Sequence, residues 1–182
     1  RFNWNAPILV SRHNPSVIYH AGNHLFRSED RGNSWTPISP DLTRNDPATQ
    51  GPGGAPITNE GAGGEIYNTI FYVAESPADA GTIWVGTDDG LVHATRDGGK
   101  QWSNVTPKDM GEFQVNAIEI SPHDPSTVYL AVTGYKRNDF TPHVFKTRDG
   151  GRSWERLVAG LPDGSFVRVV REDPVRRDLL YA

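Results

Sequence analysis

The chain has 182 residues, of which 36% are hydrophobic, with a formal net charge of −4 and no cysteine. This composition is sufficient for a packed core, provides no basic field for nucleic acid, and excludes disulfides and thiolate metal sites. No apolar run approaches the ~20 residues that span a bilayer, so we expect no membrane insertion. The 19 glycines and 14 prolines favour an all-β fold with many turns.

The predicted elements follow one another along the chain in cycles of four short strands. The bounds of the cycles are residues 6–38, 66–105, 114–157 and 166–182. The first two cycles are separated by residues 40–64, which are rich in glycine, proline and asparagine and predict a long loop. Residues 134–142 predict a longer connection inside the third cycle, and the fourth cycle contains only two strands.

One sequence pattern recurs between the third and fourth strands of each complete cycle. It consists of a hydroxyl residue, an Asp two positions on, a Gly after two more and a Trp after three more. The copies at residues 28–35, 95–102 and 147–154 are called repeat turns 1, 2 and 3. The Asp can accept hydrogen bonds from its own turn, the Gly can take a positive φ, and the Trp can bury a large ring. We therefore predict structural roles for Asp30, Gly32, Trp35, Asp97, Gly99, Trp102, Asp149, Gly151 and Trp154.

The repeat turns resemble the Asp-box, or BNR repeat, of sialidase-like β-propellers. In that family the Asp-box is a structural turn away from the ligand site, which implies that these Asp residues belong to the scaffold. Propeller blades repeat every ~40–50 residues with four strands each, close to the spacing of Trp102 and Trp154. Residues 83–85 and 128–132 are apolar at consecutive positions, as expected for a blade covered on both faces. The predicted fold is an all-β propeller segment of three complete four-stranded antiparallel blades and an incomplete fourth.

Residues 35–46, 83–92 and 169–174 resemble parts of large bacterial Asp-box proteins described as sortilin (VPS10)-like or glycosyl-hydrolase-like. The resemblance covers the whole chain but a fraction of such a protein, and it suggests export to the periplasm or the cell exterior. Because propellers have about 4–8 blades, these blades do not close a ring. Either the chain is a piece of a longer protein, or copies assemble. The uncovered apolar ends favour a homo-oligomer that completes the ring.

The alternating connections of a four-stranded meander place the two long insertions on one side of the blades, called the loop-rich face. The repeat turns and the first-to-second turns lie on the opposite side. Binding residues favour elaborated loops, so the loop-rich face is the candidate site for a carbohydrate, peptide or protein ligand. The candidate binding residues are His24, Asp88, Asp89, Lys136, Arg137, Asp139 and His143, together with Asp41, Arg44 and Asp46 of the long loop.

Three further histidines have structural interpretations. His93 takes the position of Phe26 and Phe145 in the other repeats and is predicted to pack in the core. His13 and His123 lie in first-to-second turns and are predicted to face solvent.

Histidines and carboxylates together could bind a metal or perform acid–base chemistry. No metal-spaced motif and no nucleophile elbow is present, so we expect neither a metal nor a cofactor. The sialidases that this fold resembles use an Arg-Ile-Pro motif, and its absence argues against sialidase activity. A Ser/His/Asp hydrolase stays open, without diagnostic spacing.

A xyloglucanase-type glycosidase would use two carboxylates facing each other across a cleft. Asp88, Asp89, Glu65 and Glu112 are available for this, although nothing in the sequence selects a pair. Two hypotheses follow: a scaffold whose loops bind a ligand, or a hydrolase acting from the same face. A flat polar or aromatic rim would favour the scaffold, and a carboxylate pair across a cleft would favour the hydrolase.

Overall fold

The computed structural model describes residues 1–58, 61 and 63–182, and its regular structure is almost entirely β. Within these residues, three sheets have four strands in meander order, and a fourth sheet has two. All neighbouring strands are antiparallel. The predicted all-β architecture, with three complete blades and an incomplete fourth, is confirmed. The sheets are called blades 1 to 4.

Blade 1 contains β1 (Ile8–Val10), β2 (Ile18–Ala21), β3 (Leu25–Ser28) and β4 (Thr36–Pro37). Blade 2 contains β5 (Ile70–Glu75), β6 (Ile83–Thr87), β7 (Val92–Thr95) and β8 (Ser103–Asn104). Blade 3 contains β9 (Gln114–Ile120), β10 (Val128–Gly134), β11 (Asp139–Thr147) and β12 (Glu155–Arg156). Blade 4 contains β13 (Arg171–Glu172) and β14 (Leu180–Tyr181). Short 3-10 segments occur at Pro47–Thr49, Pro52–Gly54 and Tyr135–Arg137.

The connection predicted at residues 134–142 is shorter than expected from the sequence. Strand β10 continues to Gly134 and β11 begins at Asp139, so only one 3-10 turn separates them. Asn138 closes this turn with a φ of 59°, a left-handed conformation that Asn tolerates better than most residues. The ladder resumes at once with Gly134 opposite Asp139, after a bulge. The insertion is therefore a longer hairpin rather than an open loop.

The hydrophobic core lies between successive blades. One apolar cluster joins blades 1 and 2, a second joins blades 2 and 3, and a third joins blades 3 and 4. Every residue of β6 and β10 is buried, which agrees with the prediction that consecutive apolar positions mark strands covered on both faces. Blade 1 has a described neighbour on one face only, and its first strand leaves Ile8 69% exposed.

The repeat turns are closed by the same hydrogen bonds in all three copies. In repeat turn 3, Thr147 Oγ1 donates to Asp149 Oδ1 (2.7 Å) and accepts from Gly151 N (2.9 Å). Asp149 Oδ1 also accepts from Ser153 N at 2.9 Å. In repeat turn 1, hydrogen bonds from Ser34 lower the pKa of Asp30 to about 2. The Asp residues thus act as acceptors for their own turns.

The Trp of a repeat turn also fastens its blade to the preceding one. Trp102 Nε1 donates to the Ile38 carbonyl at 2.9 Å, and Trp154 Nε1 donates to the Val105 carbonyl at 2.8 Å. Each acceptor is the residue three positions after the preceding repeat-turn Trp. Trp35 instead donates to Gly32 of its own turn and is 41% exposed.

The histidines of the first-to-second turns also bond to the neighbouring blade. His13 is exposed, as predicted, whereas His123 is partly buried. His13 Nε2 lies 2.8 Å from the Ser76 carbonyl, and His123 Nε2 lies 2.8 Å from the Asp173 carbonyl. In both cases the carbonyl belongs to the following blade. His93 is half-buried on β7, where desolvation lowers its pKa to about 4.

Candidate functional site

Asp88 and Asp89 directly follow β6 on the loop-rich face, and Asp88 is held by one residue of blade 2. The two Asp88 carboxylate oxygens accept from Thr69 N and Thr69 Oγ1, each at 2.8 Å. Asp88 is only 3% exposed. Burial, reinforced by the neighbouring charge of Asp89, raises the pKa of Asp88 to about 7. Both oxygens are therefore committed to the turn before β5.

Asp89 fastens the long loop onto blade 2. Its Oδ2 accepts from Arg44 N at 2.8 Å and from Asn68 Nδ2 at 3.0 Å. Its backbone carbonyl accepts from Arg44 Nε at 2.7 Å. Burial raises the pKa of Asp89 too. The sequence placed Asp89 and Arg44 on one face, and the structure joins them in a contact that organises the loop.

The remaining charges around this pair form ion pairs. Arg137 lies 2.8 Å and Arg44 lies 3.7 Å from Glu112, while Lys136 lies 3.5 Å from Glu65. Asp88, Glu112, Lys136 and Arg137 line a hollow of about 10 Å³, room for no more than a water molecule. Each of the four carboxylates considered for a glycosidase therefore has a hydrogen-bond or ion-pair partner among the described residues.

Asp139 and His143 form a second group at the start of β11. His143 Nε2 lies 3.1 Å from Asp139 Oδ2, and Arg156 donates to His143 Nδ1 at 2.9 Å. Because Arg can only donate, Nδ1 accepts and Nε2 carries the proton towards Asp139. The hydrogen bond from the Thr141 hydroxyl, with a smaller contribution from His143, lowers the pKa of Asp139. His143 is 6% exposed, so the hydrogen bonds that join Asp139, His143 and Arg156 stabilise β11 from its buried side.

The other candidates lie on blade 1 and the long loop. His24 Nδ1 lies 3.2 Å from the Ser39 carbonyl, and Asp41 forms a 2.9 Å ion pair with Arg1. Asp46 caps the segment Pro47–Thr49 by accepting from Ala48 N. The structure thus divides the candidate residues into three separate groups. Among the described residues, no group of three or more His, Asp or Glu is arranged to hold a metal ion.

A fourth group on this face contains aromatic residues that the sequence analysis did not select. Phe166 lies between blades 3 and 4 and stacks on Tyr135, with ring centroids 5.8 Å apart. Phe140 lies 6.3 Å from Phe166 and is 48% exposed. The Arg168 guanidinium lies 5.5 Å from the centroids of both the Tyr135 and Phe166 rings. These four residues are called the aromatic patch. The sequence did contain a signal for this patch. Tyr135 and Phe166 lie in two connections that a four-stranded meander places on the same face.

Comparisons with known proteins agree with this architecture. No protein-family model matches the chain. An oligoxyloglucan-reducing end-specific xyloglucanase from Emericella nidulans is 31% identical over 97 residues, which cover 50% of this chain and 11% of that protein. The crystal structure of an ancestral GH74 enzyme has a TM-score of 0.62 at 19% identity, covering 90% of this chain and 19% of that one. YCF48 from Cyanidioschyzon merolae has a TM-score of 0.50 at 18% identity, covering 82% and 35%.

The chain has a β-propeller fold. It spans about a tenth of the length of the xyloglucanase and about a fifth of the ancestral enzyme. These matches support the propeller and glycosyl-hydrolase-like parts of the sequence resemblance, and they add nothing to the sortilin-like part. No helix among the described residues is long and apolar enough to cross a membrane.

Proposed function

We propose that this chain is a propeller scaffold whose loop-rich face binds carbohydrate without cleaving it. One observation carries the proposal: the carboxylates of this face are engaged in hydrogen bonds and ion pairs, while aromatic surface stays exposed at its rim. A glycosidase needs two carboxyl groups free to reach the scissile bond. A binding surface needs only complementary shape and chemistry.

The aromatic patch supplies that chemistry. The apolar C–H faces of sugar rings pack on aromatic faces, and Phe140 offers such a surface with 48% of it exposed. The contact of Arg168 with two rings holds the patch in a defined arrangement. A xyloglucanase is 31% identical to this chain over 97 residues, which makes a neutral oligoxyloglucan the first ligand to test.

The test is a calorimetric titration of the chain with oligoxyloglucan. We expect Phe140→Ala to weaken binding about tenfold or more, since a well-packed interface aromatic contributes ~1–2 kcal/mol or more. Phe2→Ala is the matched control, because Phe2 is a 45% exposed phenylalanine on the blade 1 side. Equal affinity of the wild type and Phe140→Ala would contradict the proposed site.

A hydrolase is the second candidate, favoured by the Asp88 pKa of about 7 and by the xyloglucanase match. A carboxyl group that stays protonated near neutral pH has the property of a general acid. An assay for new reducing ends, with Asp88→Asn as the comparison, separates the candidates. Hydrolysis that disappears in Asp88→Asn, while binding persists, would replace the scaffold proposal with the enzymatic one.

We also propose that a second copy of the chain covers the open side of blade 1. Trp35 is exposed there, whereas its equivalents Trp102 and Trp154 bond to a preceding blade. Ile8 and Val10 on β1 are also exposed, at 69% and 52%. The relationship to exported sortilin-like proteins stays a proposal that rests on the sequence resemblance.

A further inference from the structure

A groove of about 530 Å³ runs between the outer edges of blades 2 and 3, and it shares only Arg156 with the Asp139 and His143 group described above. It is called the rim groove. Two aromatic residues and four charged residues among its lining decide its character: Phe145, Trp154, Lys108, Asp109, Arg152 and Arg156. A volume of this size lies within the ~300–1,000 Å³ typical of small-molecule sites.

The aromatic part of the groove presents carbon surface rather than polar groups. The polar edge of the Trp154 indole is occupied, since Nε1 donates to the Val105 carbonyl of blade 2. Phe145 forms the buried part of the wall, and the Arg156 guanidinium lies 5.7 Å from its ring centroid. The groove therefore has an apolar wall with a cation above it.

The charge of the rim groove is opposite to that of the chain. Three cations, Lys108, Arg152 and Arg156, face one acid, Asp109, in a protein of net charge −4. Within the part of the chain that the structure describes, the Lys108 ammonium and the Arg152 guanidinium form no hydrogen bond or ion pair. Two unpaired cations beside an aromatic wall are complementary to an anionic ligand with an apolar ring face.

The corresponding position between blades 1 and 2 shows that this charge is not a general property of the repeat. Asp41 stands six residues after its repeat-turn Trp, as Lys108 does, and Asn104 takes the place of Arg156. Asp41 is already paired with Arg1. Of the three cations, only Arg152 has a positively charged equivalent at this position, which is Lys100 of repeat turn 2. The cationic character is thus specific to the rim groove.

We propose that the rim groove binds a carboxylated sugar, such as an oligosaccharide of uronic acid residues. The ring face would pack on Trp154, and the carboxylate would bind Lys108 and Arg152. A peptide is less well matched, because the bordering strands β8 and β12 have two residues each and offer little edge for strand addition. This site is separate from the neutral-carbohydrate site at the aromatic patch.

The test is an NMR titration of the isotope-labelled chain with trigalacturonate, comparing wild type with Lys108→Gln/Arg152→Gln. We expect amide shifts around the groove and binding weaker by about fivefold for each cation removed, since an exposed charge pair contributes up to ~1 kcal/mol. Raising the salt concentration should weaken wild-type binding, because exposed charges are screened. Two control variants should bind trigalacturonate with the wild-type affinity. They are Lys100→Gln, at the position equivalent to Arg152 in repeat turn 2, and Phe140→Ala in the aromatic patch.

Equal affinity of the double variant and the wild type would overturn the proposal, as would the absence of shifts around the groove. Hexaglutamate is the comparison ligand. Binding of hexaglutamate as tightly as trigalacturonate would assign the groove to an acidic protein segment and overturn the sugar assignment. Loss of oligoxyloglucan binding in Phe140→Ala bears on the other site alone.

Discussion

The contact between blades 1 and 2 at repeat turn 2 makes Gly99→Ala a sharp test of the fold. Gly99 has a φ of +97°, and an added Cβ would lie 2.6 Å from the Ile38 carbonyl oxygen and 3.0 Å from Ile38 Cβ. A side chain in this backbone region costs ~1–3 kcal/mol. Displacing the packed backbone of blade 1 costs a further ~1–3 kcal/mol. We therefore expect a loss of ~2–6 kcal/mol in the free energy of unfolding, against a typical total of ~5–15 kcal/mol.

Gly98→Ala is the matched control at the preceding position. Gly98 also has a positive φ, +72°, but no atom lies within 4 Å of its added Cβ. Arg31 occupies the same position in repeat turn 1 with a φ of 61°, so a side chain is tolerated there. The expected cost is only the conformational ~1–2 kcal/mol. Urea denaturation with a common m-value measures both losses. Equal losses for the two variants would show that the contact with Ile38 adds no cost.

Three further outcomes are expected. Asp149→Ala should lower stability by leaving the turn amides unpaired, and carbohydrate binding should survive; a folded variant without binding would contradict this. Wild type should lose stability relative to Asp88→Asn as the pH rises from about 4 to about 7, because the Asp88 pKa is raised from 3.8 to about 7 in the fold; urea titrations with no such divergence would disprove it. Sedimentation at micromolar concentration should show an oligomer, and a stable monomer of 20.1 kDa would refute self-association.

The repeat turns were predictable because every group that closes them lies within eight residues of sequence. The Thr147 hydroxyl donates to Asp149 and accepts from Gly151 N, so local residue types determine the turn. The consecutive apolar positions of β6 and β10 likewise indicated, without any distant contact, that both faces of these strands are buried. The fold could therefore be inferred from short stretches.

The candidate site was less predictable because its contacts join distant segments. No residue close to Asp89 in the sequence indicates its partner, because that partner, Arg44, is 45 residues away. The aromatic patch requires Phe166 to reach Tyr135 from the connection between blades 3 and 4. Residue type marked these positions as polar or aromatic, but only the packing of blades decides which groups remain available to a ligand.

We propose that the loop-rich face binds carbohydrate at the aromatic patch and does not hydrolyse it. An NMR titration of the labelled chain with oligoxyloglucan tests both parts, since protein amides and sugar anomeric protons are observed in one sample. We expect shifts centred on Tyr135, Phe140, Phe166 and Arg168, with the anomeric signals unchanged over time. Shifts elsewhere on the blades, or the growth of new reducing-end signals, would contradict it.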